Sequence, residues 1–186
     1  MPRTFRVAAW FFAAITPIAS AQPGFVDSGT GLPRYTVTVI NPGTSIAPSG
    51  PVSQSLGLNN NGRVVGYVFT SPLQYKALNW KGGTAMQLGG LTNFNQTFAN
   101  RVNILGRVAG VGYKMNSGGA ITESHALKWT GGVMSDLGTL GGHHAAALAI
   151  NDYDQIVGGS TLAGDTVTRA FIFSNSASAV GVRSSS

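Results

Sequence analysis

Three stretches of the chain align without a gap: Leu58-Asn-Asn-Asn-Gly-Arg-Val-Val-Gly66, Val102-Asn-Ile-Leu-Gly-Arg-Val-Ala-Gly110 and Ile150-Asn-Asp-Tyr-Asp-Gln-Ile-Val-Gly158. Each reads apolar, Asn, two variable positions, a turn residue, a polar residue, two apolar residues and Gly. A second set comes after each: Lys76-Ala-Leu-Asn-Trp80, His125-Ala-Leu-Lys-Trp129 and Arg169-Ala-Phe-Ile-Phe173. The closing glycines lie 44 and 48 residues apart and the closing aromatics 49 and 44. Periods of this length belong to architectures in which one supersecondary unit recurs and buries its apolar face only by stacking on its neighbours.

The composition selects the kind of unit. Charged residues are 10% of the chain and glycines number 26, which suits short strands joined by tight turns and does not supply long solvated helices. The expectation is an all-β fold of three four-stranded repeat units, about 35–81, 84–130 and 133–174. The third unit shows the strands best, at Val133 to Gly138, Ala146 to Asn151, Gln155 to Thr161 and Thr168 to Phe173. The same phase makes Tyr35 to Ile40 and Ala85 to Gly90 the first strands of the other two. Asn60-Asn61-Gly62 suits a tight hairpin, because Asn and Gly tolerate positive φ. In the fourth strand, period 2 sets Ala77 and Asn79 opposite Lys76, Leu78 and Trp80, with the aromatic anchor turned inward.

Stacked radially, such units give a β-propeller, whose blades are four-stranded sheets. Three fall short of the roughly four to eight blades that close a propeller. The chain is therefore expected to be propeller-like and open, to close by homo-oligomerisation, or to be a β-trefoil or β-prism.

The flanks have their own signatures. Residues 1–21 run from Arg3 and Arg6 through an apolar stretch to Ala19-Ser20-Ala21, the order of a cleavable signal peptide, with cleavage expected before Gln22. The apolar run is far below the roughly 20 residues of a membrane span. Residues 22–33 read as a flexible leader, 34–174 as the repeat domain and 175–186 as a tail. No transmembrane segment is expected after cleavage. The mature chain is expected to be secreted or periplasmic.

The run Asp136-Leu-Gly-Thr-Leu-Gly-Gly142, then Ala149-Ile-Asn-Asp-Tyr-Asp-Gln-Ile-Val-Gly158, with His125-Ala-Leu-Lys-Trp129 upstream, resembles the bacterial extracellular HAF repeat. The resemblance extends over residues 35–173 and weakens toward the first copy, where Val39-Ile40-Asn41-Pro42-Gly43 stands in place of Leu-Gly-Thr-Leu-Gly-Gly. It implies an exported, propeller-like repeat protein and brings no reaction with it.

Little in the chain converges on chemistry. Cysteine is absent, which removes disulfides, thiolate metal sites and a cysteine nucleophile. The one Glu and five Asp leave little for the paired carboxylates of a glycosidase. The glycine pairs 82–83, 131–132 and 141–142 lack the lysine and spacing of a phosphate loop and read as turns. Net charge is +6, and removal of Arg3 and Arg6 leaves 6 − 2 = +4. Scarce acids rather than a basic run set this balance, so no nucleic acid partner is expected.

Four residues stand as candidate binding groups. Arg63 and Arg107 share one repeat position after the hairpin turn and would lie on one rim, to meet an anionic polymer or to blunt an edge with solvated charge. His143 and His144 come after Gly141-Gly142, and adjacent residues on a strand point to opposite faces. His125 shares its position with Lys76 and Arg169, which reads as a polar strand start. Asn151, Asp152 and Asp154 have the alternating oxygens of a calcium loop in one copy only, so Asn at this position reads as a turn former. Trp80 and Trp129, at the position of Phe173, read as core. No metal and no cofactor are expected. The function expected is a non-enzymatic binding or structural module at or outside the cell envelope, with a glycan, envelope component or protein as partner. The alternatives are an extracytoplasmic hydrolase working through His143, His144 and Asp136, and a truncated fragment of a longer propeller.

Overall fold

The computed structural model of the protein describes residues 38–40, 53–71 and 74–174. All of its strands belong to one compact unit, Ile40–Ser186. The expected signal peptide, leader and tail lie outside the described residues. So does half of the expected first strand, Tyr35 to Ile40, of which only 38–40 is described and carries no strand.

Among the described residues there is no helix, and eleven strands form two sheets. The first sheet is a meander of β1 (Ser53–Leu58), β2 (Val64–Ser71), β3 (Gln74–Lys81) and β4 (Thr84–Gln87), in that order. The second begins with β5 (Gln96–Val102), β6 (Val108–Met115), β7 (Ile121–Thr130) and β8 (Val133–Gly138), again a meander. It continues through β9 (Gly141–Ile150), β10 (Ile156–Leu162) and β11 (Thr168–Phe173). One parallel pairing, Ser124 with His144, joins β7 to β9 and makes the second sheet seven-stranded. The strands do not close into a barrel.

The grouping of strands differs from the expected one. Val133–Gly138 pairs with β7 and Thr84–Gln87 with β3, so each closes the meander before it rather than opening the next. The cause lies in the links. Gly82-Gly83 and Gly131-Gly132 all have positive φ, between 57° and 88°. Two consecutive residues of that kind make the two-residue hairpin turn that ties its flanking strands together.

The repeated Asn-containing loops build another turn, identical in all three copies. Gly62 N–H donates to the Asn59 carbonyl at 3.1 Å and Asn59 N–H to the Arg63 carbonyl at 3.1 Å, with Gly62 at φ 69°. Asn103 with Gly106 and Asn151 with Asp154 repeat the pattern. This is a three-residue hairpin loop, a turn followed by one left-handed residue. The glycine that ends each repeated stretch has a separate reason. A Cβ at Gly66, Gly110 or Gly158 would stand 1.9 to 2.0 Å from the carbonyl oxygen of Gln54, Phe98 or Ala146 on the neighbouring strand.

Three groups of strands thus stack face to face: β1–β4, β5–β8 and β9–β11. We call the face that carries Trp80, Trp129 or Phe173 the front of each. The front of the middle unit (Val102, Val108, Leu127, Trp129) packs on the back of the first (Val65, Ala77). The front of the third (Ile150, Ile156, Phe171, Phe173) packs on the back of the middle one (Ala109, Ala126). Both faces of the middle unit are therefore buried by its neighbours. Of the three aromatic anchors only Trp129 is fully buried, and its indole N–H donates to the Gly89 carbonyl at 2.7 Å. Trp80, on the outermost front, is half-buried, as is Phe173.

Candidate functional site

The three identical turns lie in a column, and the first asparagine of each binds it together. Asn59 Oδ1 accepts from Arg63 N–H at 2.9 Å and Asn61 N–H at 3.0 Å, holding its own loop. Its Nδ2 then donates to the Asn103 carbonyl at 2.7 Å, one unit on. Asn103 does the same, accepting from Arg107 N–H at 2.9 Å and donating to the Asn151 carbonyl at 3.0 Å. Asn151 holds its own loop in the same way, but its Nδ2 turns back to Gln155 Oε1 at 2.7 Å. Two outer rungs run beside these: Asn61 Nδ2 to the Ile104 carbonyl at 3.0 Å, and Ile104 N–H to Asp152 Oδ1 at 2.8 Å.

A groove of about 250 Å³ runs along this column. Its polar lining comes from Asn59, Asn60, Asn103, Asn151 and Asp152, and its apolar lining from Val102, Ile104 and Ile150. No cationic side chain lines it. Two large side chains on the same turns, outside the lining, are exposed: Leu105, and Tyr153 at 86% exposure. Turn tips are ordinarily polar, and an exposed tyrosine ring is a surface on which a ligand ring can stack.

None of the four expected binding residues lines this groove. Arg63 and Arg107 do occupy equivalent positions, but both are half-buried and turned into the seams between units. Arg63 Nη1 donates to Asn79 Oδ1 at 3.0 Å, and its guanidinium covers Gly106. Arg107 Nη1 lies 3.3 Å from Asp154 Oδ2, which also pairs with Lys128 Nζ. Neither is a free rim charge. The aspartate sits where the other copies have glycine, at φ 68°, a left-handed conformation that Asp tolerates better than most residues.

His143 and His144 diverge, as neighbours on a strand must. His143 Nδ1 pairs with Asp165 Oδ2, whose other oxygen accepts from His143 N–H at 2.7 Å and Thr161 Oγ1 at 2.6 Å. His144 Nδ1 faces Ser124 Oγ at 3.4 Å. Asp136 is elsewhere, 2.8 Å from His125 Nδ1, while His125 Nε2 is 3.1 Å from Glu123 Oε1. The trio His143, His144 and Asp136 is not assembled. The Ser124–His144 pair is longer than a working nucleophile–base contact, Ser124 is buried, and among the described residues no carboxylate orients the imidazole. The calcium-like oxygens are largely engaged elsewhere: Asn151 Oδ1 on its loop, Asp152 Oδ1 on Ile104 N–H, Asp154 Oδ2 on two cations.

The hydrogen bond from His143 holds Asp165 well below the usual carboxylate range, with Thr161 adding to the effect, and the same bond raises His143 above its ordinary value. A raised histidine contributes stability in full below its unfolded value, near 6.5, and loses it as pH rises through the folded one. A lowered aspartate contributes above its unfolded value, near 3.9, and loses it as pH falls. The link between β9 and the Asp165 loop is thus strongest from about pH 4 to 6.5. Thermal unfolding from pH 6 to 9 should show a fall in Tm for the wild type that His143→Gln lacks. Parallel curves would mean the pair contributes nothing.

The stacking column was within reach of the sequence, since Asn recurs 44 and 48 residues apart. Its side chain, read as a turn former, also spans the units. No protein-family model, curated protein or solved structure matches the chain.

Proposed function

We propose that the protein is a non-enzymatic binding module, exported to the periplasm or beyond, that takes a neutral polyhydroxylated ligand, a glycan of the cell envelope or its surroundings, on the column of stacked turns. The observation that carries this is the groove. Asn60 and Asp152 beside an apolar strip of Val102, Ile104 and Ile150, with the exposed Tyr153 on the same turn as Asp152 and no cation in the lining, match alternating hydroxyls and C–H faces. The unassembled catalytic groups favour binding over hydrolysis. The HAF-like motifs and the stacked meanders support an exported, propeller-like arrangement.

The test is a screen of the purified protein against neutral oligosaccharides and peptidoglycan fragments, followed by titration calorimetry. Tyr153→Ala and Asn60→Ala should each weaken a hit at least tenfold, about 1.4 kcal/mol, without changing Tm. An exported form starting at Gln22, read by mass spectrometry, is expected alongside. No bound glycan, or a hit indifferent to both substitutions, would remove the groove from consideration.

A further inference from the structure

The two ends of the stack carry the two halves of one interface. On the back of the third unit, Val157 and Ile172 are exposed, Ile172 at 57%. Val157 occupies the position of Val65 and Ala109, both fully buried beneath the next unit's front. Leu148, also exposed, stands at the bulge position of Asn100, whose Nδ2 reaches the Ala147 carbonyl of the next unit at 2.8 Å. On the front of the first unit, Leu58 is 69% exposed, whereas its equivalent Val102 is 7% exposed against the preceding unit. Val64 and Trp80 beside it are half-buried. Among the described residues, Ile40 packs on the far half of that front, against Val68 and Leu78.

We infer that the protein associates head to tail, the first unit's front of one copy docking on the third unit's back of another. The occupant follows from the two internal seams, both of which are front on back and neither back on back. Two further features agree. The asparagine ladder is unfinished at the same end, since Asn59 and Asn103 donate to the next turn while Asn151 folds back on Gln155. The left-handed turn residue of each unit also matches the pair it faces: Gly106 under Arg63, and Asp154 against Arg107 and Lys128. The third unit offers uncharged Gln155 and Ile172 at those positions, and Gly62 is the uncharged counterpart at the head of another copy. A contact between unlike faces either closes into a ring or extends as a filament.

Sedimentation velocity over a concentration series tests this with the protein and two surface variants. The wild type should sediment as dimers or larger species. Leu58→Lys and Ile172→Lys should each be monomeric with unchanged circular dichroism. Mixed in equal amounts, they should give a dimer and nothing larger, because each variant retains the face the other lacks. A wild type that stays monomeric to its solubility limit would overturn the inference. So would either variant dimerising alone, which indicates pairing of like faces or another surface.

Discussion

Asp154→Ala is expected to destabilise the protein by about 3–5 kcal/mol, the scale set by removing one partner of a buried ion pair. The Asp154 and Lys128 side chains are 5% and 9% exposed, and Arg107, one third exposed, leans on the same carboxylate. Alanine would leave two cations facing each other in the seam between the middle and third units. It would also place a side chain with no polar group at a left-handed position. Urea unfolding at pH 7 measures the loss, and a change below about 1 kcal/mol would show the cluster to be solvated in practice. A paired substitution isolates the cause. The seam between the first and middle units solves the same problem with Arg63, Asn79 and Gly106. Lys128→Asn combined with Asp154→Gly reproduces that set, removes one cation and relieves the backbone, and should recover most of the loss. Asp154 Oδ1 is buried without a hydrogen-bond partner among the described residues, a further cost that the double variant removes.

Gly110→Ala is expected to cost about 3 kcal/mol, at the upper end of overpacking effects, because what it meets is main chain. The added methyl would lie 2.0 Å from the Phe98 carbonyl oxygen and 2.9 Å from the Trp129 ring. β5 and β6 would have to part inside the unit that is buried on both faces. Gly159→Ala is the control, since its nearest neighbours are 3.7 Å and 4.0 Å away. It should fall within about 0.5 kcal/mol of the wild type. Equal losses at the two positions would mean that loss of glycine itself, rather than the carbonyl contact, is responsible.

Turns and strands are local, and the residues name them: Asn60-Asn61-Gly62 makes a hairpin, and the paired glycines at 82–83 and 131–132 make tighter ones. The phase of the repeat is not local. An alignment gives the period of a recurring unit, but a unit can be cut at any of its turns, and only strand pairing decides that Val133–Gly138 belongs to β7. The candidate site divides the same way. The divergence of His143 and His144 is legible from strand geometry alone. The destinations of Arg63 and Arg107 are not, because their partners, Asn79 and Asp154, come from 16 residues away along the meander or from the next unit. Asn103 is legible as the residue that shapes its turn and illegible as a rung, since the second role depends on the stacking that it helps to create.

That double role of asparagine bears on how such a chain can change in length over evolution. Each turn carries both the amide that reaches forward and the carbonyl that is reached. A segment copied in tandem therefore brings a matching plug and socket for the ladder, while the turn residue and the pair that it faces still have to match across the new junction. Lengthening by duplication keeps the ladder intact, whereas exchanging a single asparagine for another turn-forming residue would cut its forward rung alone, because the carbonyl that the preceding asparagine reaches is main chain.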